Sequence, residues 1–204
     1  MGQNVELVRL LDDSGAEIGT ADKALVHTTE TPLHLAFSCH LFDAQGRTLL
    51  TRRALSKLTW PGVWTNSFCG HPAPGESFEE AIIRRAAMEL NITVTNIEPA
   101  LPDFRYRAVD ASGIVENEIC PVFTAVYDGA VSADGVPTTD SDAAAGSDDD
   151  DAAAIAPNPA EVCDWAWADV VDVEEAVAAT PFAFSPWLVQ QLSEGVYTGG
   201  YLQP

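Results

Sequence analysis

The sequence predicts an α/β fold of the α+β kind, a mixed β-sheet core flanked by helices, on three observations. Apolar residues alternate on both sides of a turn in residues 34–50. One stretch after Ser77 carries apolar residues at helical spacing, and residues 104–107 and 115–127 alternate again.

In order along the chain, residues 34–50 read as two strands joined at residues 43–46, where Asp43 and Gly46 supply the turn. Trp60-Pro61-Gly62 opens a second turn, and the chain runs on as a short strand to Cys69. Ser77 reads as a helix N-cap with Glu80 three residues on, and Ala81, Ile82, Arg85, Ala86 and Glu89 follow on one face. Residues 115–127 read as one long strand, 162–167 as a final edge strand, and 172–179 and 186–192 as closing helices. Residues 131–159 are rich in Ala, Asp, Gly and Pro, with four aspartates at 148–151. They read as a disordered, solvated insert without the ligand spacing of a calcium loop. Residues 1–204 are thus expected to form a single domain interrupted by an acidic flexible insert at 131–159.

A chain of 204 residues with 47% hydrophobic content can bury one good core. Its 31 acidic residues against 10 basic ones give a net charge of -21, which makes nucleic acid and anionic membranes poor partners. No run of about 18 apolar residues and no basic-then-apolar leader is present, so the expectation is a cytoplasmic protein without membrane insertion. The four cysteines, Cys39, Cys69, Cys120 and Cys163, lack C-x-x-C spacing, which argues against a zinc knuckle and a disulfide framework. The acidity itself reads as adaptation to a salt-rich cytoplasm, the alternative being an ordinary acidic protein with a charged insert.

Three groupings carry chemistry. Seven of the ten cations, Arg52, Arg53, Lys57, Arg84, Arg85, Arg105 and Arg107, fall between residues 52 and 107, and against so acidic a background they suggest a phosphorylated ligand. His27, His34 and His71 join Glu116 and Glu118, two carboxylates projecting from one face of a strand, as a ligand set for Mn, Mg or Zn. Taken singly, each histidine reads as a core or surface residue, and His40 keeps that reading. Cys69 shares a strand face with His71, which leaves it open as ligand, catalytic thiol or buried residue. Residues 70–92 can be laid on the Nudix pattern G-x5-E-x7-R-E-U-x-E-E-x-G-U through Gly70, Glu76, Arg84, Ala86, Glu89 and Ile92. Arg85, Met88 and Asn91 break it, so most of the carboxylates that would hold hydrolytic Mg2+ are missing.

With TRRALSK, WPGVWTN, CGHP, DFRYR, GIVENE and FSPW also present, the chain resembles type 1 isopentenyl-diphosphate Δ-isomerases, Nudix-fold enzymes with a degraded box. The resemblance runs from His27 to Trp187 apart from the insert. It implies a Nudix-type sheet core and a catalytic metal, Mn2+, Mg2+ or Zn2+, on His27, His34, His71, Glu116 and Glu118. It also implies a diphosphate-bridging Mg2+ on Glu89, and a prenyl diphosphate substrate held by Lys23, Arg53, Lys57 and Arg85. Cys69 and Glu118 become the acid/base pair, Tyr106 supports the proton on Glu118, and Trp167 offers a π-face to a carbocation. Two rivals share parts of this pattern: a Nudix diphosphohydrolase using Glu76 and Glu89, and a non-catalytic metal- or diphosphate-binding module.

Overall fold

A computed structural model describes residues 5–130 and 155–198. The first sheet contains β1 (Leu7–Leu11), β2 (Glu17–Asp22), β3 (His34–Leu35), β9 (Arg105–Val109) and β10 (Val115–Ile119), in the order β2-β1-β3-β10-β9. The second runs β12-β5-β4-β11-β8, from β4 (Phe37–Phe42), β5 (Thr48–Arg53), β8 (Ile92–Leu101), β11 (Val122–Ala130) and β12 (Val162–Ala168). Two short strands attach to it: β6 (Trp64–Thr65) pairs with β5 and β7 (Phe68–Gly70) with β4. The helices are α1 (Lys23–Val26), α2 (Phe78–Leu90), α3 (Val170–Ala179) and α4 (Pro186–Ser193), with a 3₁₀ turn at Pro181–Ala183. None is long and apolar enough to cross a membrane among the described residues.

Two segments pass from one sheet to the other side by side, and this crossing positions the site. β3 gives way to β4 at Ala36, and β10 gives way to β11 at Cys120 and Pro121. The segments stay laced by parallel hydrogen bonds, the Ala36 N–H to the Ile119 carbonyl at 2.9 Å and the Ser38 N–H to the Pro121 carbonyl at 3.1 Å. Residues 115–127 are therefore two strands in two sheets rather than one, because proline has no N–H to continue the ladder. His34 likewise belongs to the first sheet, and the hairpin proper begins at Phe37.

β4 is buried at every position, as a strand covered on both faces must be, and its Phe37, Cys39 and Leu41 join Leu49, Phe68, Ile82, Leu90 and Ile92 in one core. α2 starts at the expected capping box, where the Ser77 side chain accepts the Glu80 N–H and the Glu80 carboxylate accepts the Ser77 N–H. It ends at Asn91, in the left-handed region at φ 58°, which explains how asparagine stands where the Nudix pattern has glycine. The buried face of α2 includes Arg85 and Glu89 among its apolar residues, so this helix delivers two charges to the interior.

The insert read at 131–159 is shorter where the structure describes it. Ile155 is buried in the core, and the Asn158 N–H donates to the Glu89 carbonyl at 2.7 Å, so residues 155–159 are folded against α2. Residues 131–154, with the four aspartates, lie outside the described residues. β12 is an edge strand as expected, and α3 begins two residues before the predicted start.

Candidate active site

Strand register brings the first group together. His34 stands opposite Glu118 in the parallel β3/β10 pair, and Glu118 stands opposite Tyr106 in the antiparallel β10/β9 pair. His27 caps the C-terminus of α1, and His71 follows β7. One oxygen of Glu118 lies 3.3 Å from His34 Nε2 and 3.2 Å from His71 Nε2, while Glu116 Oε2 lies 2.9 Å from His27 Nε2. One donor atom from each of His27, His34, His71 and Glu118 falls within 4.8 Å of every other. Glu116 borders this group, its second oxygen accepting the Thr59 hydroxyl at 2.7 Å.

This donor set fits a divalent cation. His34 donates from Nδ1 to the Pro32 carbonyl at 2.9 Å, which leaves Nε2 aimed at the cluster and available to a metal once it has given up any proton shared with Glu118. Buried nitrogens of His27, His34 and His71 have no well-formed hydrogen bond. Three imidazoles and a carboxylate suit a borderline ion. Burial opposes ionisation of Glu118, but hydrogen bonds and attraction from His34 and His71 hold its carboxyl well below the usual range. Burial also opposes a charge on His34, and the same Glu118 raises that ring above its usual value nonetheless.

A cavity of about 210 Å³ opens beside this cluster. It is lined by His27, His71, Glu116, Glu118 and Tyr106, by the charged side chains of Lys23, Arg53, Lys57, Arg85, Glu89 and Glu161, and by Cys69 and Trp187. Burial pushes the Cys69 thiol up to about 11, although the Ser38 hydroxyl at 3.3 Å and the Asn66 amide at 3.4 Å contact its sulfur. Burial drives the Tyr106 phenol well above 10, so it keeps its proton. Arg85 Nε donates to Glu89 at 2.8 Å and Arg85 Nη2 lies 3.6 Å from Glu161, which also pairs with Lys57. Lys23 pairs with Glu6 at 2.9 Å, and Arg53 lies 5.3 Å from the ring centre of Trp187. Gly70 is required here: a Cβ would sit 2.7 Å from Arg85 Cγ and 2.9 Å from the Phe37 ring. Gly70→Ala is expected to destabilise the fold by about 1–3 kcal/mol, read from the midpoint of a urea melt.

Trp167 does not line the cavity; it packs from β12 against the core of Phe37 and Ile82 and lies edge-on to Tyr127, ring centres 6.0 Å apart. β12 is an edge strand on the far side of β5 from β4, and the aromatic wall comes from Trp187 on α4, 5.6 Å from Tyr106. The FSPW stretch held the signal for Trp187. Glu161 and Thr59 went unread because neither belongs to a motif. Of the seven clustered cations only Arg53, Lys57 and Arg85 reach the cavity, joined by Lys23 from outside the cluster. Arg84 instead pairs with Glu76 at 2.7 Å, Arg52 donates to the Gly62 carbonyl at 2.8 Å, and Arg105 and Arg107 are exposed on β9. His40 is a satisfied core histidine, bonded to Tyr197 and Gln191.

The NUDIX domain family model matches residues 32–188, so the chain is a Nudix-domain protein. A Deinococcus radiodurans protein of known crystal structure shares the fold at a TM-score of 0.62 and 16% identity, covering 93% of this chain and 98% of its own. Among curated proteins, the isopentenyl-diphosphate Delta-isomerase of Clavibacter michiganensis is 56% identical over 94% of this chain and 87% of its own length. That of Leifsonia xyli is 57% identical over 92% and 89%, and that of Citrobacter koseri 49% over 93% and 91%. The chain belongs to the isopentenyl-diphosphate Δ-isomerase family.

Proposed function

We propose that this protein interconverts isopentenyl and dimethylallyl diphosphate, supplying isoprenoid biosynthesis, with Cys69 and Glu118 as the two groups that give a proton to the substrate and take one from it. The observation that carries this reading is that both groups line one cavity together with four cations. Lys23, Arg53, Lys57 and Arg85 would neutralise the diphosphate, and Glu89 would hold a Mg2+ that offsets its remaining charge. His27, His34, His71, Glu116 and Glu118 would hold the second divalent ion, Mn2+, Mg2+ or Zn2+. When bound, that ion supplies positive charge that orients Glu118 and sets its affinity for the proton.

The isomerisation needs one group to add a proton to C4 and another to remove one from C2. Addition forms a C–H bond with the alkene π electrons and leaves a tertiary cation at C3. Loss of the C2 proton returns its electron pair to form the C2=C3 bond. Tyr106, opposite Glu118 in register and holding its proton, would support the proton on that carboxyl. The wall of Tyr106, Phe68 and Trp187 excludes the water that would trap the cation, and Trp167 keeps the proposed role of a π-face toward it. Arg85 stands where a hydrolytic Nudix helix has a metal-binding carboxylate, which favours isomerisation over diphosphate cleavage. Incubation of the metal-loaded protein with isopentenyl diphosphate is expected to yield dimethylallyl diphosphate; release of inorganic phosphate without isomerisation would mark a hydrolase, and no turnover a binding module.

The composition fits a cytoplasmic protein, and we read its charge of -21 as adaptation to salt. Its melting temperature is expected to rise from low to molar KCl as repulsion among carboxylates is screened; a flat response would mark an ordinary acidic protein.

A further inference from the structure

Behind Cys69 a chain of buried polar side chains crosses the core, and the proposed chemistry does not use it. Tyr197 lies 3.0 Å from His40 Nδ1, His40 Nε2 lies 2.9 Å from Gln191 Oε1, and Gln191 Nε2 donates to Ser38 Oγ at 2.9 Å. Ser38 stands opposite Cys69 in the β4/β7 register, with its Oγ 3.3 Å from the sulfur. Ser38, His40 and Gln191 are fully buried, and Tyr197 is 7% exposed.

The direction of this chain can be worked out. Burial pushes the His40 ring down to about 4, so it is neutral and carries one proton. Gln191 Oε1 is an amide oxygen and can only accept, so His40 carries its one proton on Nε2 and leaves Nδ1 to accept from the Tyr197 phenol, which also neighbours Thr48. The Nε2 proton is donated to Gln191 Oε1, and the Gln191 amide donates to Ser38 Oγ. Ser38 has thereby accepted its hydrogen bond, and its own proton points to the cysteine side, toward Cys69 at 3.3 Å or Cys120 at 3.6 Å.

A second, independent branch reaches the same sulfur. Trp187 Nε1, which can only donate, bonds Asn66 Oδ1 at 3.0 Å, and the Thr65 hydroxyl donates to that oxygen at 2.9 Å. The same Oδ1 lies 3.4 Å from the Cys69 sulfur as an acceptor for the thiol proton. Asn66 Nδ2 is turned to the Cys39 and Phe68 carbonyls at 3.0 and 2.9 Å and to Cys69 at 3.4 Å.

We infer that Ser38 is a positioning residue for Cys69: its hydroxyl presents a donor to the sulfur from the core side, so that the thiol proton, when carried, is directed away from Ser38, toward Asn66 Oδ1 or the substrate cavity. This inference rests on the reading of Cys69 as one of the two proton-transferring groups. Gln191, His40 and Tyr197 act at a distance, fixing which way the Ser38 hydroxyl points. Trp187, which forms the cavity wall, also locks the amide beside the thiol.

The test uses the metal-loaded protein with isopentenyl diphosphate. Ser38→Ala and Gln191→Leu are expected to lower kcat by about tenfold or more, with KM and bound metal unchanged, because a donor at the sulfur is removed or misdirected. The S–H stretching band that Cys69→Ala abolishes should shift in both variants. Wild-type kcat and an unshifted band in both, with Cys69→Ala inactive, would overturn the inference alone. Full turnover in Cys69→Ala would instead remove the reading beneath it. If either variant fails to fold, the wild-type protein decides: ¹⁵N NMR of His40 is expected to place its proton on Nε2. A proton on Nδ1 would mean the chain runs the other way, with Ser38 accepting from the thiol, and would overturn the inference.

Discussion

Cys69→Ala is expected to keep its full complement of divalent metal and to lose at least about a hundredfold in kcat, the lower bound for removing a group that transfers a proton in the rate-limiting step. The sulfur lines the cavity without belonging to the His/Glu cluster, whose members are His27, His34, His71 and Glu118. Metal content, measured on the purified protein, separates this role from ligation. Glu118→Gln, by contrast, should lose turnover and metal together, because its carboxylate serves both. A Cys69→Ala protein depleted of metal would make the thiol a ligand, and one with undiminished kcat would place the chemistry elsewhere.

Arg85→Leu is expected to have the largest combined effect on stability and on the Michaelis constant. Arg85 is 4% exposed, and its guanidinium is the buried partner of Glu89, with Glu161 nearby. Removing it leaves Glu89, 7% exposed, without its counter-charge, a change that costs about 3–5 kcal/mol in comparable buried pairs. The same substitution takes one cation from the cavity, so KM for isopentenyl diphosphate should rise as well. The pH dependence has a definite sign. Burial raises the Glu89 carboxyl above its usual value even with Arg85 present. A carboxyl raised in the folded state binds its proton more tightly there, so the stability lost in Arg85→Leu should be partly recovered as pH falls through that raised value. Urea melts of both proteins across the acidic range would check this.

The elements that sequence reads well are those with local causes. The turn at Asp43, the capping box at Ser77 and the edge strand ending near Trp167 follow from side chains acting on their own backbone. The site was legible mainly through the family resemblance, since histidines at 27, 34 and 71 have no shared spacing in the chain. The parallel register of His34 with Glu118 that joins them is a long-range property. The same limit applies to the tryptophans. Trp165 and Trp167 alternate on a strand and Trp187 lies on a helix, and nothing in their spacing says which faces the cavity. Alternation alone also ran β10 and β11 together, although Pro121 marks the place where one sheet is left for the other. Glu161 was hidden for another reason: it follows an acidic stretch in which one more carboxylate carries no signal.

The account is tested most directly by running the reaction in heavy water with isopentenyl diphosphate and divalent metal, and locating deuterium in the product by ²H NMR. Proton addition at C4 from a solvent-exchanged group on the protein predicts dimethylallyl diphosphate deuterated in the newly formed methyl group. Cys69→Ala and Glu118→Gln should form none of it. Dimethylallyl diphosphate free of deuterium, or inorganic phosphate in its place, would contradict the account.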